Sequence, residues 1–211
     1  MSGSITDVEF GMRTLAEQIV ANETYFGELD AVVGDGDFGY SLARGFEIVI
    51  EQWDEFDRSD PGVFLTKIAA AVAARIGGTS GPIWGTAILR AGVQLKGHPQ
   101  IERTDMVRAL RSSIEGIKVR GKTDVGDKTL LDSLVPAVDA LEASESTGRS
   151  AKLTLMAMAD AAESAAENTR TMQARRGRAS YTGERSIGSV DAGAKAIAVL
   201  LKALAEVWPE A

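Results

Sequence analysis

The segment Glu28–Trp53, ELDAVVGDGDFGYSLARGFEIVIEQW, joins two glycine-spaced aspartates to a helical pattern and decides how the chain is read. Asp30, Asp35 and Asp37 crowd around Gly34 and Gly36, and an apolar stripe then starts at Leu42 and continues through Phe46, Val49, Ile50 and Trp53. At about 100° per residue, a straight helix would leave Asp35 well off the face shared by Asp30 and Asp37, so a folded loop is needed to converge the three. The apolar run Ala31–Val33 is too short to demand a strand. Three carboxylates held together repel one another unless a cation neutralises them. Hard oxygen ligands suit Mg2+, which usually shares them with phosphates held by a donor-rich helix N-terminus. An EF-hand would need a Glu at the twelfth loop position, where counting from Asp35 gives Phe46 and counting from Asp30 gives Ser41. The competing reading is a polar turn in which Asp37 caps the following helix.

Outward from this segment nearly every periodic stretch is helical. The spacing predicts helices over Ile5 to about Phe26, Phe38 to Trp53, Pro61 to the Gly77–Gly78 pair, and Ser80 to Leu95. Beyond the Pro99 loop it predicts a fifth capped by Thr104 and stopped by Gly121, then about Lys128–Ala143, Ala151–Met172 and Ala192–Val207. No segment alternates with period two over a strand's length, so the expectation is an all-α chain, an antiparallel bundle of about eight helices forming one domain over residues 1–211. Many of the 22 glycines gather in the connections after Leu29, Arg75, Arg120 and Arg176. These follow helices one, three, five and seven, which an antiparallel bundle places at one end.

Composition excludes several function classes. The 211 residues, with 45% hydrophobic and 25% charged, suffice for a full core. The absence of cysteine excludes disulfides, thiolate metal sites and cysteine nucleophiles. A net charge of −7 disfavours nucleic acid as a partner. No apolar run is long enough to span a membrane, and MSGSITDVEFGM does not read as a leader, so a cytoplasmic protein without membrane association is expected. Against the acidic background, Arg170, Arg175, Arg176, Arg178 and Arg185 form a local basic run, either a solvated face or a clamp for a nucleotide or acidic partner.

The remaining loops are individually weak signals. RIGGTSGPIWGT (75–86) has the glycines and hydroxyls of a phosphate cradle but no GxxxxGK[ST] string, and Ser80 could equally be a cap. In GKTDVGDKTL (121–130) the favoured role of Asp127 is to cap the sixth helix, the other option being a carboxylate or lysine at the mouth of a site. His98 is the only histidine and lies beside Pro99 without a motif, so a covalent phosphohistidine relay on this chain is not expected.

Taken in order, the aspartate loop, GGTSGP, GDKT and the closing MQARRGRASYTGERSIGSVDAGA resemble the nucleotide-binding L subunit family of dihydroxyacetone kinases, over nearly the full length. The resemblance implies an eight-helix barrel with a nucleotide site at one end, ADP or ATP as coenzyme, and two Mg2+ ions on Asp30, Asp35 and Asp37. It further implies nucleotide contacts from Phe38, Gly39, Tyr40, Ser41, Thr79, Ser80, Gly121, Leu130, Arg178, Asp191, Ala192 and Gly193. No residue is implied as a covalent catalyst. The implied partner is a K subunit that holds a small ketose on its own histidine, with a phosphotransferase-system phosphocarrier as a further partner in relay members; a homodimer is compatible with the pattern. The implied activity is transfer of a phosphoryl group from the Mg-bound nucleotide to that ketose. A second implied role is an ADP-sensing module acting on a transcription factor. Phe38 stands where many relatives have His, Tyr40 and Ser41 where Thr and Asn are common, Ser189 for a frequent His and Ala192 for Pro. These changes at the mouth of the site are compatible with a ketose longer than dihydroxyacetone.

Overall fold

The structure is a computed structural model that describes residues 3–145 and 147–210. Nine α-helices account for its regular structure: α1 (Ile5–Ala21), α2 (Glu23–Ala31), α3 (Phe38–Glu51), α4 (Pro61–Arg75), α5 (Ser80–Leu95), α6 (Arg103–Gly121), α7 (Leu131–Ala143), α8 (Ala151–Asn168) and α9 (Ala192–Val207). Short 3-10 turns occupy Trp53–Glu55, Thr169–Thr171 and Arg178–Ser186. The all-α reading holds: among the described residues no strand forms, and the one β-bridge pairs Gly3 with Ile101. The eight helical runs read from the pattern are present, and the first is interrupted at Asn22 (φ −99°, ψ 14°), which makes the count nine. After that break the backbone stays helical to Ala31 rather than stopping near Phe26.

The chain divides into two compact units. The first comprises Met1–Val20 and Ser41–Lys122. Its α4 begins as the sequence predicts, with Pro61 at the first helical position and Asp60 as N-cap accepting from the amides of Gly62 (2.8 Å) and Val63 (3.0 Å). The second Asp60 oxygen accepts from the Gly97 amide at 2.7 Å and so ties the start of α4 to the end of α5. Gly62 allows this approach, since a Cβ there would lie 2.5 Å from the Lys96 nitrogen. Phe46, Phe64, Leu65, Ile68, Val72, Ile114 and Ile117 form its core. Full burial of a side chain such as Phe64 contributes about 1.5–3 kcal/mol. Trp53 meets Phe64 edge-on at 5.6 Å, and the Arg13 and Arg58 guanidinium groups lie 5.2 and 5.5 Å from the Trp53 ring centroid. The cap of α6 is Glu102, not Thr104: Glu102 and Asp105 form a reciprocal capping box, which satisfies two backbone donors where a threonine hydroxyl would serve one.

The second unit comprises Ala21–Tyr40 and Thr123–Ala211. Helices α7, α8 and α9 pack through small residues, among them Ala137, Ala159, Ala162, Ala166, Ala194 and Ala198, with Leu131, Val138, Leu200 and Leu204 filling between them. The Ser133 hydroxyl donates to the Ala162 carbonyl at 2.9 Å, a bond that requires close approach of α7 and α8. Two ends differ from expectation for local reasons. Lys128 has a left-handed backbone (φ 61°), so α7 starts at Leu131 rather than at Lys128. At the end of α8, Thr169 turns its hydroxyl onto the Ala166 carbonyl (2.6 Å) and accepts the Asp191 amide (2.9 Å), which stops the α-helix at Asn168 instead of Met172.

Candidate functional site

The chain leaves α2 through a tight turn in which the amides of Val33 and Gly34 both donate to the Asp30 carbonyl, at 3.2 and 2.6 Å. The Asp30 carboxylate then folds back over the loop. One of its oxygens accepts from the Gly36 amide at 2.9 Å, and the Phe38 amide at the start of α3 also donates to this carboxylate. Asp30, not Asp37, therefore serves the first amide of α3. Two glycines make this fold possible. A Cβ at Gly34 would fall 2.8 Å from the Asp30 Cγ, and Gly36 adopts φ +76°, which side-chain-bearing residues rarely take.

The loop brings one oxygen each of Asp30, Asp35 and Asp37 within 4.8 Å of one another, with Asp30 half-buried and Asp35 and Asp37 exposed. Burial is the main cause holding the Asp30 carboxyl above its ordinary range, and the charges of Asp35 and Asp37 add to it against the lowering effect of the two amides. A cation seated among the three would reverse that penalty. Three carboxylates are a hard, all-oxygen donor set that fits Mg2+ and offers nothing to a metal preferring sulfur or nitrogen.

Around this cage the second unit assembles other candidates. Arg178, at the start of its 3-10 turn, points Nε at Asp35 Oδ2 across 3.3 Å, with 69% of its side chain exposed. Asp191 is the N-cap of α9 and accepts the Ala194 amide at 2.7 Å. Gly193 sits against Leu130, whose Cβ would be 3.3 Å from an added Cβ. Asp30, Asp132 and Lys128 are all within electrostatic reach of Asp191. Thus Asp30, Asp35, Asp37 and Arg178, and beside them Leu130, Asp191, Ala192 and Gly193, belong to one neighbourhood. Phe38 begins α3 and sets its ring 6.2 Å from that of Phe26, while Gly39 lets α3 close on α2, since a Cβ would be 2.5 Å from the Gly27 nitrogen. Tyr40 is exposed and lines, with Gly27, Ala31 and Gly36, an open groove of about 360 Å3. Ser41, Thr79, Ser80 and Gly121 belong to the first unit, in α3, just before α5, at the first residue of α5 and at the last of α6. Thr79 is the N-cap of α5 by position but makes no side-chain capping bond, and Ser80 follows it inside the helix.

Asp127 does not cap the sixth run. Its carboxylate accepts from the Asp124 amide (3.1 Å) and the Thr123 hydroxyl (3.2 Å) in the preceding turn and lies 3.5 Å from Arg176. Asp132, inside α7, reaches back instead to the amides of Gly126 (2.5 Å) and Thr129 (2.7 Å). The left-handed Lys128 turns the chain so that the later aspartate, four residues on, faces those amides. His98 lies beside Asp105 (3.6 Å) in the first unit.

Asp191 carries a testable electrostatic cost. Protein packed around it pushes its carboxyl up to about 7, with burial the largest cause, and Asp132 and Asp30 contribute in the same direction. A carboxyl raised in the folded state destabilises the fold once ionised, fully above pH 7, and the penalty shrinks as pH falls toward 3.8. Asp191→Asn keeps an oxygen for the Ala194 amide and removes the charge. In EDTA, its gain in melting temperature over wild type should be larger at pH 8 than at pH 5; equal gains at both would refute the assignment.

Comparison with known proteins gives the family of the chain. The DAK2 domain model matches residues 32–206. The chain belongs to the DAK2 domain family. It is 36% identical over 205 residues to the ADP-binding subunit DhaL of the PEP-dependent dihydroxyacetone kinase of Escherichia coli (strain K12), covering 97% of this chain and 98% of that subunit. It is also 35% identical over 216 residues to the L-erythrulose 1-kinase of Mycolicibacterium smegmatis, covering 96% of this chain but 38% of that protein. The crystal structure of the dihydroxyacetone kinase from C. freundii in complex with AMP-PNP and Mg2+ matches with a TM-score of 0.77 and 26% identity, over 98% of this chain and 34% of that one. The chain thus spans about a third of that solved kinase and nearly all of the DhaL subunit. Among the described residues no helix is long and apolar enough to cross a membrane.

The sequence offered a carboxylate or lysine of the GDKT stretch at a site mouth as second choice to an Asp127 cap; the structure instead buries Lys128 and gives the turn amides to Asp132, and nothing in the string showed that the lysine would point inward.

Proposed function

We propose that this DAK2 chain is the nucleotide-binding, phosphoryl-donor subunit of a small-ketose kinase, holding ADP or ATP with two Mg2+ ions on Asp30, Asp35 and Asp37. The observation that carries this reading is the convergence of the three carboxylates in a glycine-shaped loop, with Arg178 beside them. Bound Mg2+ would spread the charge that develops on the transferring phosphoryl group. The chain's own residues position and neutralise. The N-terminus of α3 presents its dipole and backbone at the loop, suited to phosphate. The exposed Arg178 guanidinium can exchange Asp35 for a phosphate oxygen without losing a buried pair. Leu130 and the segment Asp191–Gly193 are proposed to line the nucleotide, as are Phe38, Gly39 and Tyr40. Ser41, Thr79, Ser80 and Gly121 are nucleotide candidates on the family resemblance alone.

The ketose is proposed to be held by a separate K-type subunit. The donor is proposed to be ADP kept on this chain and recharged by a phosphotransferase-system carrier, supported by the near-complete coverage of PEP-dependent ADP-binding subunits. Turnover with free ATP and no carrier would replace that donor assignment. Similarity to the L-erythrulose 1-kinase, together with the altered residues at Phe38, Tyr40 and Ser41, supports including four-carbon ketoses among the acceptors. A cytoplasmic location is proposed with the carrier.

Arg178→Ala tests the nucleotide arm. It should weaken Mg-ADP binding by about 1.5–3 kcal/mol, the usual worth of a hydrogen bond to a charged group. Calorimetry giving wild-type affinity would return Arg178 to a solvated surface role.

A further inference from the structure

Among the described residues, Lys128 is the one charged residue in the set of largest fully buried side chains, with 1% of its surface exposed. An ammonium group has three protons to donate. Here its Nζ meets three backbone carbonyls: Met172 at 3.2 Å, Ser189 at 2.7 Å and Ser186. The Ser189 hydroxyl stands 3.5 Å away. Met172 lies before the arginine-rich 3-10 turn Arg178–Ser186, and Ser186 and Ser189 lie at its end and just after it. One buried cation thus gathers both feet of the loop that carries Arg178.

Neighbouring bonds close the same base. The Ser186 hydroxyl accepts the Ala174 amide at 2.9 Å, the Gly188 amide donates to the Arg170 carbonyl at 2.8 Å, and the Arg175 amide donates to the Asp127 carbonyl at 3.0 Å. The loop above the base is exposed: Arg175, Arg176, Arg178, Tyr181 and Arg185 all lie at the surface. Its shape is therefore set at the feet, where Lys128 is the buried charge and the exposed Arg170 guanidinium adds a bond to the Gly188 carbonyl at 3.2 Å. The left-handed backbone at Lys128 is a cost for a residue with a side chain, tolerable if that side chain is needed in this place. Removing the ammonium would take this donor from the Met172 and Ser189 carbonyls, while the Ser186 carbonyl would keep the Ser189 hydroxyl at 2.9 Å.

We infer that Lys128 is a positioning residue for the nucleotide: by binding the carbonyls of Met172, Ser186 and Ser189 it closes the 172–189 loop and holds Arg178 at the aspartate cage. The inference deepens the proposed function and rests on Arg178 contacting nucleotide there. Burial lowers the ammonium's pKa, while the nearby Asp191 charge raises it.

The test uses the full chain carrying Lys128→Met, Arg178→Ala or both, with Mg-ADP affinity by calorimetry and trypsin cleavage at Arg175, Arg176, Arg178 and Arg185 by mass spectrometry. Lys128→Met should keep the helical circular dichroism, speed cleavage at those arginines at least tenfold, and weaken Mg-ADP binding at least tenfold. Because Lys128 acts through Arg178, the double variant should bind little worse than Arg178→Ala alone, a non-additivity that a general loss of stability would not produce. If Arg178→Ala weakens binding while Lys128→Met binds as wild type, or if the two losses simply add, the inference about Lys128 is overturned. If Arg178→Ala binds normally, the reading of Arg178 fails instead, and cleavage alone decides whether Lys128 closes the loop. Should Lys128→Met not fold, Lys128→Gln, which keeps two donors, is read on the same scale; collapse of both would show that Lys128 supports the whole unit and would overturn its specific role.

Discussion

Asp35→Asn and Asp37→Asn should each abolish the thermal stabilisation that Mg-ADP gives the wild-type chain. Ligand at about a hundred times its dissociation constant adds roughly 2.7 kcal/mol to the folded state. For a chain of this size that corresponds to a rise of about 5–10 °C in melting temperature. Both substitutions leave shape and hydrogen-bonding capacity nearly unchanged and remove one anionic ligand. They are cleaner probes than Asp30→Asn, because the Asp30 carboxylate also accepts the Gly36 and Phe38 amides that shape the loop. Asp35→Asn loses the pair with Arg178 as well, but that pair is exposed and worth little to stability. The apo melting temperature and circular dichroism of both variants should therefore stay close to wild type. A full Mg-ADP-dependent rise in both would remove the cation cage from the account.

Much of the architecture was legible because helical periodicity and glycine punctuation are local signals. Pro61 after Asp60, the Gly77–Gly78 stop and the buried stripe Leu42, Phe46 and Val49 appear in the structure where the pattern put them, whereas α3 ends at Glu51 and leaves Trp53 to a separate 3-10 turn. The aspartate loop was legible in part for the same reason: the spacing of Asp30, Asp35 and Asp37 around glycines rules out one straight helix, though Asp30 lies in the last turn of α2 and only Asp35 and Asp37 in the loop. What could not be read depended on which of several similar groups wins a bond. Asp127 and Asp132 are both near the GDKT amides in sequence, and the sign of one φ angle, at Lys128, gives those amides to Asp132. Thr104 lost the cap of α6 to the Glu102–Asp105 pair. Asn22 breaks a helix that periodicity alone runs through. The burial of Lys128 had no signature, because its partners are backbone carbonyls 44 to 61 residues away and every residue type carries one.

The same limits explain the division of the site. Arg178 could be named from the resemblance, yet the reason it stands beside Asp35 is a set of bonds at the feet of its loop. Phe38 packs on Phe26 and so contributes an aromatic contact between α3 and α2 beside the three carboxylates.

The central claim is that this chain donates a phosphoryl group and does not itself hold the sugar. The direct measurement is ketose phosphate formation by the purified chain with Mg2+ and ATP, or with Mg-ADP and a phosphotransferase-system carrier, each with and without a K-type ketose-binding subunit. Dihydroxyacetone, glyceraldehyde and the tetruloses should be offered as acceptors. The chain alone should give no product above background; with the K-type subunit, phosphorylation should appear, and Asp35→Asn or Asp37→Asn should then reduce it by about 10^2- to 10^3-fold, as for loss of a group that stabilises developing charge. Equal ketose phosphorylation with and without the K-type subunit would contradict the account.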